Sequence, residues 1–279
     1  MTRKRLFLPL LLACGGLLAF VVVGCGESGG AADPVCGNAV LEGDEACDNG
    51  TLPGTLAGGA CTDTCTWREF DPDTGASGGS GREAAVAMNA RGDFVIVWQG
   101  RDGTLGGERL DVFAAVYGAN GALRAPVFRV NQETAMDQMY PSVGIDGEGR
   151  FVVVWFTSDE AGMAVNPSLD NVSMRAFLAD GTPATDEVQV NTWTDGPHGR
   201  AYVAVNNGGD MVISWSSDGQ DGDLMGVYAQ RGDSGGNLLA TPPFQVHTVT
   251  IDDQENPHVG ISESGEFVIA YESFGQEES

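Results

Sequence analysis

Hydrophobic and polar positions follow a repeating pattern from residue 81 onward. Four segments align without a gap, and each carries an early valine, a central glycine and a closing aromatic residue; they are residues 84–98, 141–155, 201–215 and 257–271. Their central glycines, Gly92, Gly149, Gly209 and Gly265, are 57, 60 and 56 residues apart. Self-similarity at such a period indicates stacked structural repeats rather than one irregular domain.

Each repeat predicts two strands joined by a tight glycine turn, followed by a third and a fourth strand. The third strands end in turns that the alignment places at Asn120-Gly121, Asp180-Gly181 and Ser234-Gly235. In the second strand Phe94, Ile96 and Trp98 alternate with Val95 and Val97, so both strand faces are apolar. A propeller blade is covered by neighbours on both faces and needs this pattern. We therefore expect an all-β fold of repeated four-stranded blades, a partial or small β-propeller; a β-sandwich array is the alternative.

The N-terminus has the pattern of an export signal. Three basic residues at positions 3–5 precede an apolar run from Leu6 to Val23, which predicts a secretory signal peptide over residues 1–24. Val22-Val23-Gly24-Cys25 resembles the bacterial lipobox, and this resemblance implies that Cys25 is acylated and anchors the chain to a membrane. By resemblance to bacterial sorting rules, Gly26 rather than an aspartate after the cysteine implies the outer membrane. An ordinary signal peptide or a transmembrane anchor is the alternative.

Four further cysteines, Cys36, Cys47, Cys61 and Cys65, follow a flexible tether at residues 25–35. An even number of cysteines in an exported chain predicts two disulfides, with a zinc site as the alternative. The segment 36–65, with Cys36-Gly37-Asn38 and the Cys61-x-x-x-Cys65 ending, resembles the myxobacterial cysteine-rich disulfide repeat. That resemblance implies an extracellular spacer, which a linker over residues 66–80 joins to the repeats at 81–279.

The repeats also resemble the roughly 55-residue propeller-like repeats of large bacterial surface proteins. The matching positions are Asn191-Thr192, Asp137-Gln138, Pro141, Asp253-Gln254 and Pro257. The resemblance implies the repeat pattern and no activity. The fourth repeat supplies two predicted strands and stops, leaving about three and a half repeats. We expect the polypeptide to be part of a longer repeat protein or to close with a partner, because the strand Phe267–Tyr271 would otherwise have an unpaired edge.

Two short motifs suggest functions that the repeat pattern explains otherwise. Gly232-Asp233-Ser234-Gly235-Gly236 looks like a serine protease nucleophile segment, but it falls in the predicted turn after a third strand, and no triad partners accompany it. Arg231-Gly232-Asp233 and Arg91-Gly92-Asp93 read as adhesion tripeptides, yet both fall at predicted turns of the repeat. The Asp-box of sialidases, Ser-x-Asp-x-Gly-x-x-Trp, has no match.

Charge narrows the choice of ligands. The net charge is −25 and the only lysine is Lys4, so the repeats cannot form a basic surface for nucleic acid. The loop at residues 216–226 carries Asp218, Asp221 and Asp223, an oxygen-rich set that makes a weak candidate for a Ca²⁺ site. The alternative is an ordinary solvated turn. The sequence indicates no other cofactor.

Together these features predict a non-enzymatic, surface-anchored lipoprotein that binds an envelope protein or a glycan through its blade loops. The predicted location is the outer membrane or cell surface. The alternative is a carbohydrate-active propeller enzyme that uses an acidic pair on the blade loops.

The predicted anchor can be tested by replacing the acylated cysteine. The expressed protein should partition into detergent and carry acyl mass on Cys25, because two or three acyl chains hold a protein firmly to a membrane. The variant Cys25→Ser should be released from the membrane fraction, as measured by phase partitioning and intact mass. A Cys25→Ser protein that stays fully membrane-bound would contradict the assignment.

Overall fold

A computed structural model describes residues 72–73, 81–101, 109–119, 121–158 and 170–274. The predicted signal peptide, the tether and the cysteine-rich module lie outside these residues. The lipidation of Cys25 and the pairing of Cys36, Cys47, Cys61 and Cys65 therefore stay predictions.

All the regular secondary structure of the described residues is β-strand, and they contain no helix. The strands are β1 (Arg82–Met88), β2 (Phe94–Arg101), β3 (Leu110–Tyr117), β4 (Phe128–Arg129), β5 (Asp137–Ile145), β6 (Phe151–Ser158), β7 (Asn171–Phe177), β8 (Val188–Gln189), β9 (Tyr202–Val205), β10 (Met211–Asp218), β11 (Met225–Gly232), β12 (Phe244–Gln245), β13 (Gln254–Ile261) and β14 (Phe267–Ser273). Within the same residues, no helix has the length and apolar character needed to cross a membrane.

The strands form three four-stranded antiparallel sheets and one two-stranded sheet. Sheet order follows chain order, so blade 1 is β1 to β4, blade 2 is β5 to β8 and blade 3 is β9 to β12. Strands β13 and β14 form a fourth, two-stranded unit. The prediction of an all-β fold built from repeated four-stranded blades is confirmed.

The glycine turn between the first two strands also connects neighbouring blades. Gly92 adopts φ of 83°, a conformation that glycine reaches without strain. The Asn89 side-chain oxygen accepts the amides of Arg91 and Asp93 at 3.0 and 3.1 Å, which closes the turn. The Asn89 amide group donates to the Asp146 carbonyl of the next blade at 3.1 Å. The turn residues therefore hold both the hairpin and the spacing between blades.

Most of the core lies between the blades. One buried cluster joins blades 1 and 2 through Val95, Val97, Val153 and Trp155, and a second joins blades 2 and 3 through residues such as Val154 and Ile213. Both faces of β2 are buried, as the alternation of apolar residues predicts. Each blade is stabilised mainly by burial against its neighbours.

The fourth unit presents an open apolar face. Val268 is 74% exposed, whereas its counterpart in blade 1, Val95, is fully buried. In blades 1 to 3 the second strand pairs with a third strand, and β14 pairs only with β13 among the described residues. The expected exposure of this strand is thus observed.

One turn differs from the sequence alignment by a single position. The left-handed glycines after the third strands are Gly121, Gly181 and Gly236, with φ of 72°, 83° and 78°. Gly236, not Gly235, is therefore the counterpart of Gly121 and Gly181, and Ser234 is the second residue of the turn, after Asp233. The amide of Gly236 donates to the Asp233 carbonyl at 3.0 Å. The protease-like segment is a turn, as expected, with its register moved by one residue.

A buried acceptor for the repeated tryptophan explains part of the motif. In blade 2 the Gln138 oxygen accepts the Trp155 indole at 2.7 Å and the Thr157 hydroxyl at 2.7 Å. In blade 3 the equivalent residue is His198, which contacts the Trp193 carbonyl through Nε2 at 2.9 Å. Within the described residues, His198 Nδ1 and the Trp215 indole are buried without hydrogen-bond partners. Burial lowers the pKa of His198 below its ordinary 6.5, with hydrogen bonds to backbone groups opposing the shift.

The variant His198→Gln should make blade 3 resemble blade 2. A glutamine can accept the Trp215 indole, so we expect the free energy of unfolding to rise by about 1 kcal/mol. Because the folded state binds the His198 proton less tightly than the unfolded state, wild-type stability should fall as pH drops below about 6.5. The variant should lose this component of the pH dependence in urea titrations at pH 5 to 8. An unchanged pH dependence would contradict the assignment.

Candidate functional site

The first strands of blade 1, blade 2 and the fourth unit carry a distortion at the same place, whereas β9 of blade 3 does not. Register shifts occur between Arg82 and Ala85 in β1, between Met139 and Ser142 in β5, and between Glu255 and His258 in β13. Each shift contains a non-glycine residue with positive φ: Glu83 at 52°, Tyr140 at 53° and Asn256 at 52°. Such backbone costs of order 1–3 kcal/mol and persists where surrounding contacts fix it.

Two neighbouring side chains fix this conformation in blade 2. The Asp137 carboxylate accepts the Leu110 amide at 2.7 Å and the Arg109 guanidinium at 3.2 Å. The Tyr140 amide donates to the Gln99 side chain of blade 1 at 2.6 Å. In the fourth unit Asp253 accepts the Met225 amide at 3.1 Å in the same way. The aspartate of the Asp-Gln motif therefore anchors the start of the strand that carries the distorted residue.

The distorted positions in blades 1 and 2 and the equivalent, undistorted position in blade 3 bring three side chains together. Arg200 has the equivalent position in blade 3, and its Nη1 lies 3.6 Å from the Glu83 carboxylate. The Arg200 guanidinium carbon also lies 4.1 Å from the centre of the Tyr140 ring. The side chains of Arg200 and Glu83 are 45% and 41% exposed, so the cluster is open to solvent. We call Glu83, Tyr140 and Arg200 the mouth cluster.

The side of the mouth cluster toward the fourth unit carries further aromatic and polar groups. Tyr202 and His258 pack with ring centres 4.1 Å apart. The Asn256 side chain donates to the Glu272 carboxylate at 3.0 Å. In an antiparallel blade the start of the first strand and the loop between the second and third strands lie at one end. The mouth cluster is therefore at the loop end of the blades, where propeller folds have room for ligands.

The chemistry of the mouth cluster is that of a polar ligand site. A carboxylate can accept or donate a proton, and a guanidinium pairs with oxygen groups through several N–H donors. A tyrosine combines an aromatic face with a hydroxyl. Each of the three residues comes from a different blade, so the cluster forms only when the blades stack.

The three aspartates proposed as a calcium site have different partners. Asp218 ends β10, the Asp221 carboxylate lies 3.5 Å from His247 Nε2, and the Asp223 carboxylate accepts the Asp252 amide at 3.1 Å. Across the described residues no group of three or more His, Cys, Asp or Glu side chains is placed to hold a metal. Whether calcium binds this loop stays a prediction.

The Asp221 pair belongs to the packing of blade 3. Burial, with a smaller contribution from the Asp221 charge, raises the pKa of Tyr228 to about 12. A Cβ at Gly226 would lie 2.8 Å from His247 Nε2 and 2.9 Å from Asp221 Oδ2, so the glycine leaves the space in which this pair meets.

Sequence reasoning missed the mouth cluster, although a signal was present. Glu83, Tyr140, Arg200 and Asn256 each lie one residue before the aligned segments at 84, 141, 201 and 257. Their identities differ from repeat to repeat, so they lack the likeness that defined the alignment. The available indication was one position of the repeat that varies between repeats and that, in two of the four, lies two residues after an Asp-Gln pair.

Several solved structures are similar to the chain, while no family model and no curated protein matches it. A Hadza microbial sialidase is 12% identical, with a TM-score of 0.46, and the match covers 64% of this chain and 39% of that one. An endo-arabinase from Bacteroides thetaiotaomicron is 14% identical, with a TM-score of 0.44, over 76% of this chain and 79% of that one. A Trypanosoma rangeli sialidase is 11% identical, with a TM-score of 0.47, over 76% of this chain and 37% of that one. The chain thus spans less than two fifths of either sialidase.

These comparisons correct the main functional prediction. The prediction of a non-enzymatic binding protein is wrong, because the similar structures are named as sialidases and an endo-arabinase. The surface anchor stays a prediction. Identities near 12% describe the fold alone, so the activity has to be argued from the side chains of the mouth cluster.

The strain at the mouth cluster can be tested at Glu83. Glycine reaches positive φ without the steric cost that alanine has, so Glu83→Gly should be more stable than Glu83→Ala by about 1 kcal/mol. Glu148 is exposed and has no positive φ, so the variant Glu148→Ala should be at least as stable as Glu148→Gly. Urea unfolding of the four variants measures both differences. Alanine equal to glycine at residue 83 would show that the backbone there is relaxed.

Proposed function

We propose that the chain is a carbohydrate-active enzyme that hydrolyses a glycosidic bond at the mouth cluster. The observation that carries this proposal is the contact of one guanidinium, Arg200, with both the Glu83 carboxylate and the Tyr140 ring. The names of the similar structures, sialidases and an endo-arabinase, agree with this class of substrate.

Glu83 has the role of proton donor and acceptor. Glycosidases use a pair of oxygen acids beside the scissile bond, and in one exception a tyrosine replaces one carboxylate. Glu83 and Tyr140 both contact Arg200, so they form such a pair around one cation. Glu83 exchanges the proton of the leaving oxygen or of the attacking water, and the Tyr140 hydroxyl is the second oxygen group.

Arg200 positions the pair and the sugar. Its stacking on Tyr140 fixes the plane of the guanidinium, and the donors not used by Glu83 face solvent, where substrate oxygens can accept them. The ion pair with Glu83 is more than two fifths exposed, so it contributes little stability and opens at low cost when a substrate enters.

The location follows from the predicted anchor and is part of the proposal. Acylation at Cys25 would hold the enzyme on the outer membrane or cell surface, where it meets polymeric glycans. The negative charge of the chain keeps nucleic acid from competing for the same surface.

Point variants of the mouth cluster test the activity. Against 4-methylumbelliferyl glycosides of N-acetylneuraminic acid, arabinofuranose and glucuronic acid, Glu83→Gln should lower kcat by about 100-fold or more, since acid–base groups contribute 10²–10⁴. Tyr140→Phe should lower kcat similarly by removing the hydroxyl while retaining the ring. Arg200→Lys should mainly raise KM, because lysine loses the planar fork.

Two matched variants control for nonspecific effects. Glu148→Gln changes an exposed glutamate in the turn between β5 and β6, at the opposite end of the blades, and Arg231→Lys changes an exposed arginine of β11. Both should keep wild-type kcat and KM. The proposal is overturned if wild-type protein releases no fluorophore from any of these glycosides, or if Glu83→Gln retains full activity.

A further inference from the structure

Blade 2 carries an open groove of about 460 Å³ that the mouth cluster does not use. Residues that line it include Met136, Thr157, Asn171, Ser173, Glu187 and Gln189. Its volume lies within the range of small-molecule sites, 300–1,000 Å³. The groove lies at the loop end of the blade, where β6 ends and β7 begins.

The groove exists because one residue of the repeat is small. In blades 1 and 3 the repeated tryptophan faces an aromatic residue across the second and third strands: Trp98 is paired with Phe113, and Trp215 with Tyr228. In blade 2 the same register position opposite Trp155 is Ser173. Ser173 lines the groove at the position where blades 1 and 3 carry a ring.

The floor of the groove presents hydrogen-bond acceptors. Thr157 has one hydroxyl proton and donates it to the Gln138 oxygen at 2.7 Å. The contact of 3.1 Å between the Thr157 and Ser173 hydroxyls therefore has Ser173 as donor. With its proton used, the buried Ser173 oxygen offers lone pairs toward the groove. A ligand that donates hydroxyl protons satisfies them.

The charged residues around the groove are occupied by backbone amides. The Glu187 carboxylate accepts the amides of Gln132 and Glu133 at 2.6 and 3.1 Å. The Glu133 carboxylate accepts the amides of Thr134 and Ala135 at 2.8 and 2.7 Å. In each glutamate both amides bond to a single oxygen, Oε2 of Glu187 and Oε1 of Glu133, which holds the side chain in place and leaves the other oxygen able to accept a ligand hydroxyl. Among the described residues, no arginine or lysine lines the groove to attract an anion. The groove is suited to an uncharged ligand rich in hydroxyl groups.

We propose that this groove binds neutral sugar residues of an oligosaccharide whose reacting end occupies the mouth cluster. This inference rests on the proposed function and adds the substrate class: an oligomer rather than a single sugar. Met136 at the groove is four residues before Tyr140, and an extended strand covers about 13 Å in that length, so one oligosaccharide reaches both.

Binding is measured by calorimetry in the Glu83→Gln protein, so that no turnover complicates the result. The probes are arabinohexaose, xylohexaose, cellohexaose, mannohexaose, maltohexaose and laminarihexaose, with CaCl₂ as a separate titrant. At least one hexaose should bind. Adding Ser173→Phe, which restores the ring of the sister blades, should weaken that binding at least 10-fold. Ser173→Ala keeps the space and removes only the oxygen acceptor, so it should weaken binding by a smaller factor than Ser173→Phe does.

A surface variant keeps the test decisive if the added ring disturbs the blade. Gln189→Ala removes an exposed amide of β8 from the groove wall and should weaken hexaose binding at least 3-fold. The inference is overturned if no hexaose binds, if only Ca²⁺ binds, or if binding is unchanged in both Ser173→Phe and Gln189→Ala.

Failure of this inference can be told from failure of the proposed function. Hexaose binding that is lost in Ser173→Phe but accompanied by no hydrolysis in the wild type would support the groove and reject the enzyme. Hydrolysis that depends on Glu83, without hexaose binding that depends on the groove, would support the enzyme and reject the groove.

Discussion

The packing of blade against blade determines what the rest of this structure can do. Each four-stranded sheet has two apolar faces, and a blade alone would leave both of them in water. Stacking solves this and also fixes the register between neighbours, because the Asn89 and Asn206 side chains donate to carbonyls of the following unit. A scaffold held from both sides can keep residues such as Glu83 and Tyr140 in a costly backbone conformation.

The distorted first strands convert this scaffold into a site. Identical positions in successive blades face one another around the arc, so three unlike residues at those positions meet without any loop reaching across. The groove on blade 2 arises by the same logic, since a change of one residue in a repeated register position opens a space that the sister blades fill. Both features depend on differences between repeats, whereas the fold depends on their likeness.

Because the fold depends on what the repeats share and the site on how they differ, the sequence predicts the fold better than the site. The alternation of Phe94, Val95, Ile96 and Val97 predicts a strand buried on both faces, and the structure agrees, because burial is a property of the local pattern. The positive φ of Tyr140 depends on contacts of Asp137 and of Gln99 that involve blade 1, so the local pattern marks the position without giving its backbone conformation. The turn at Gly236 was placed one residue early because Ser234-Gly235 and Gly235-Gly236 both satisfy the chemistry of a tight turn. The contact of Arg200 with Glu83 spans more than a hundred residues and required the stacking itself.

The central claim is that the mouth cluster is where a glycan binds. The most direct test is to observe the Arg200 side-chain Nε–H signal by nitrogen-15 NMR, assigned with Arg200→Lys, while adding a sugar or hexaose that the protein hydrolyses or binds. The account predicts a saturable shift of this signal, with smaller shifts of the Glu83 and Tyr140 amides and none at Arg231. A saturable shift confined to residues far from Arg200, with its signal unmoved, would contradict the account.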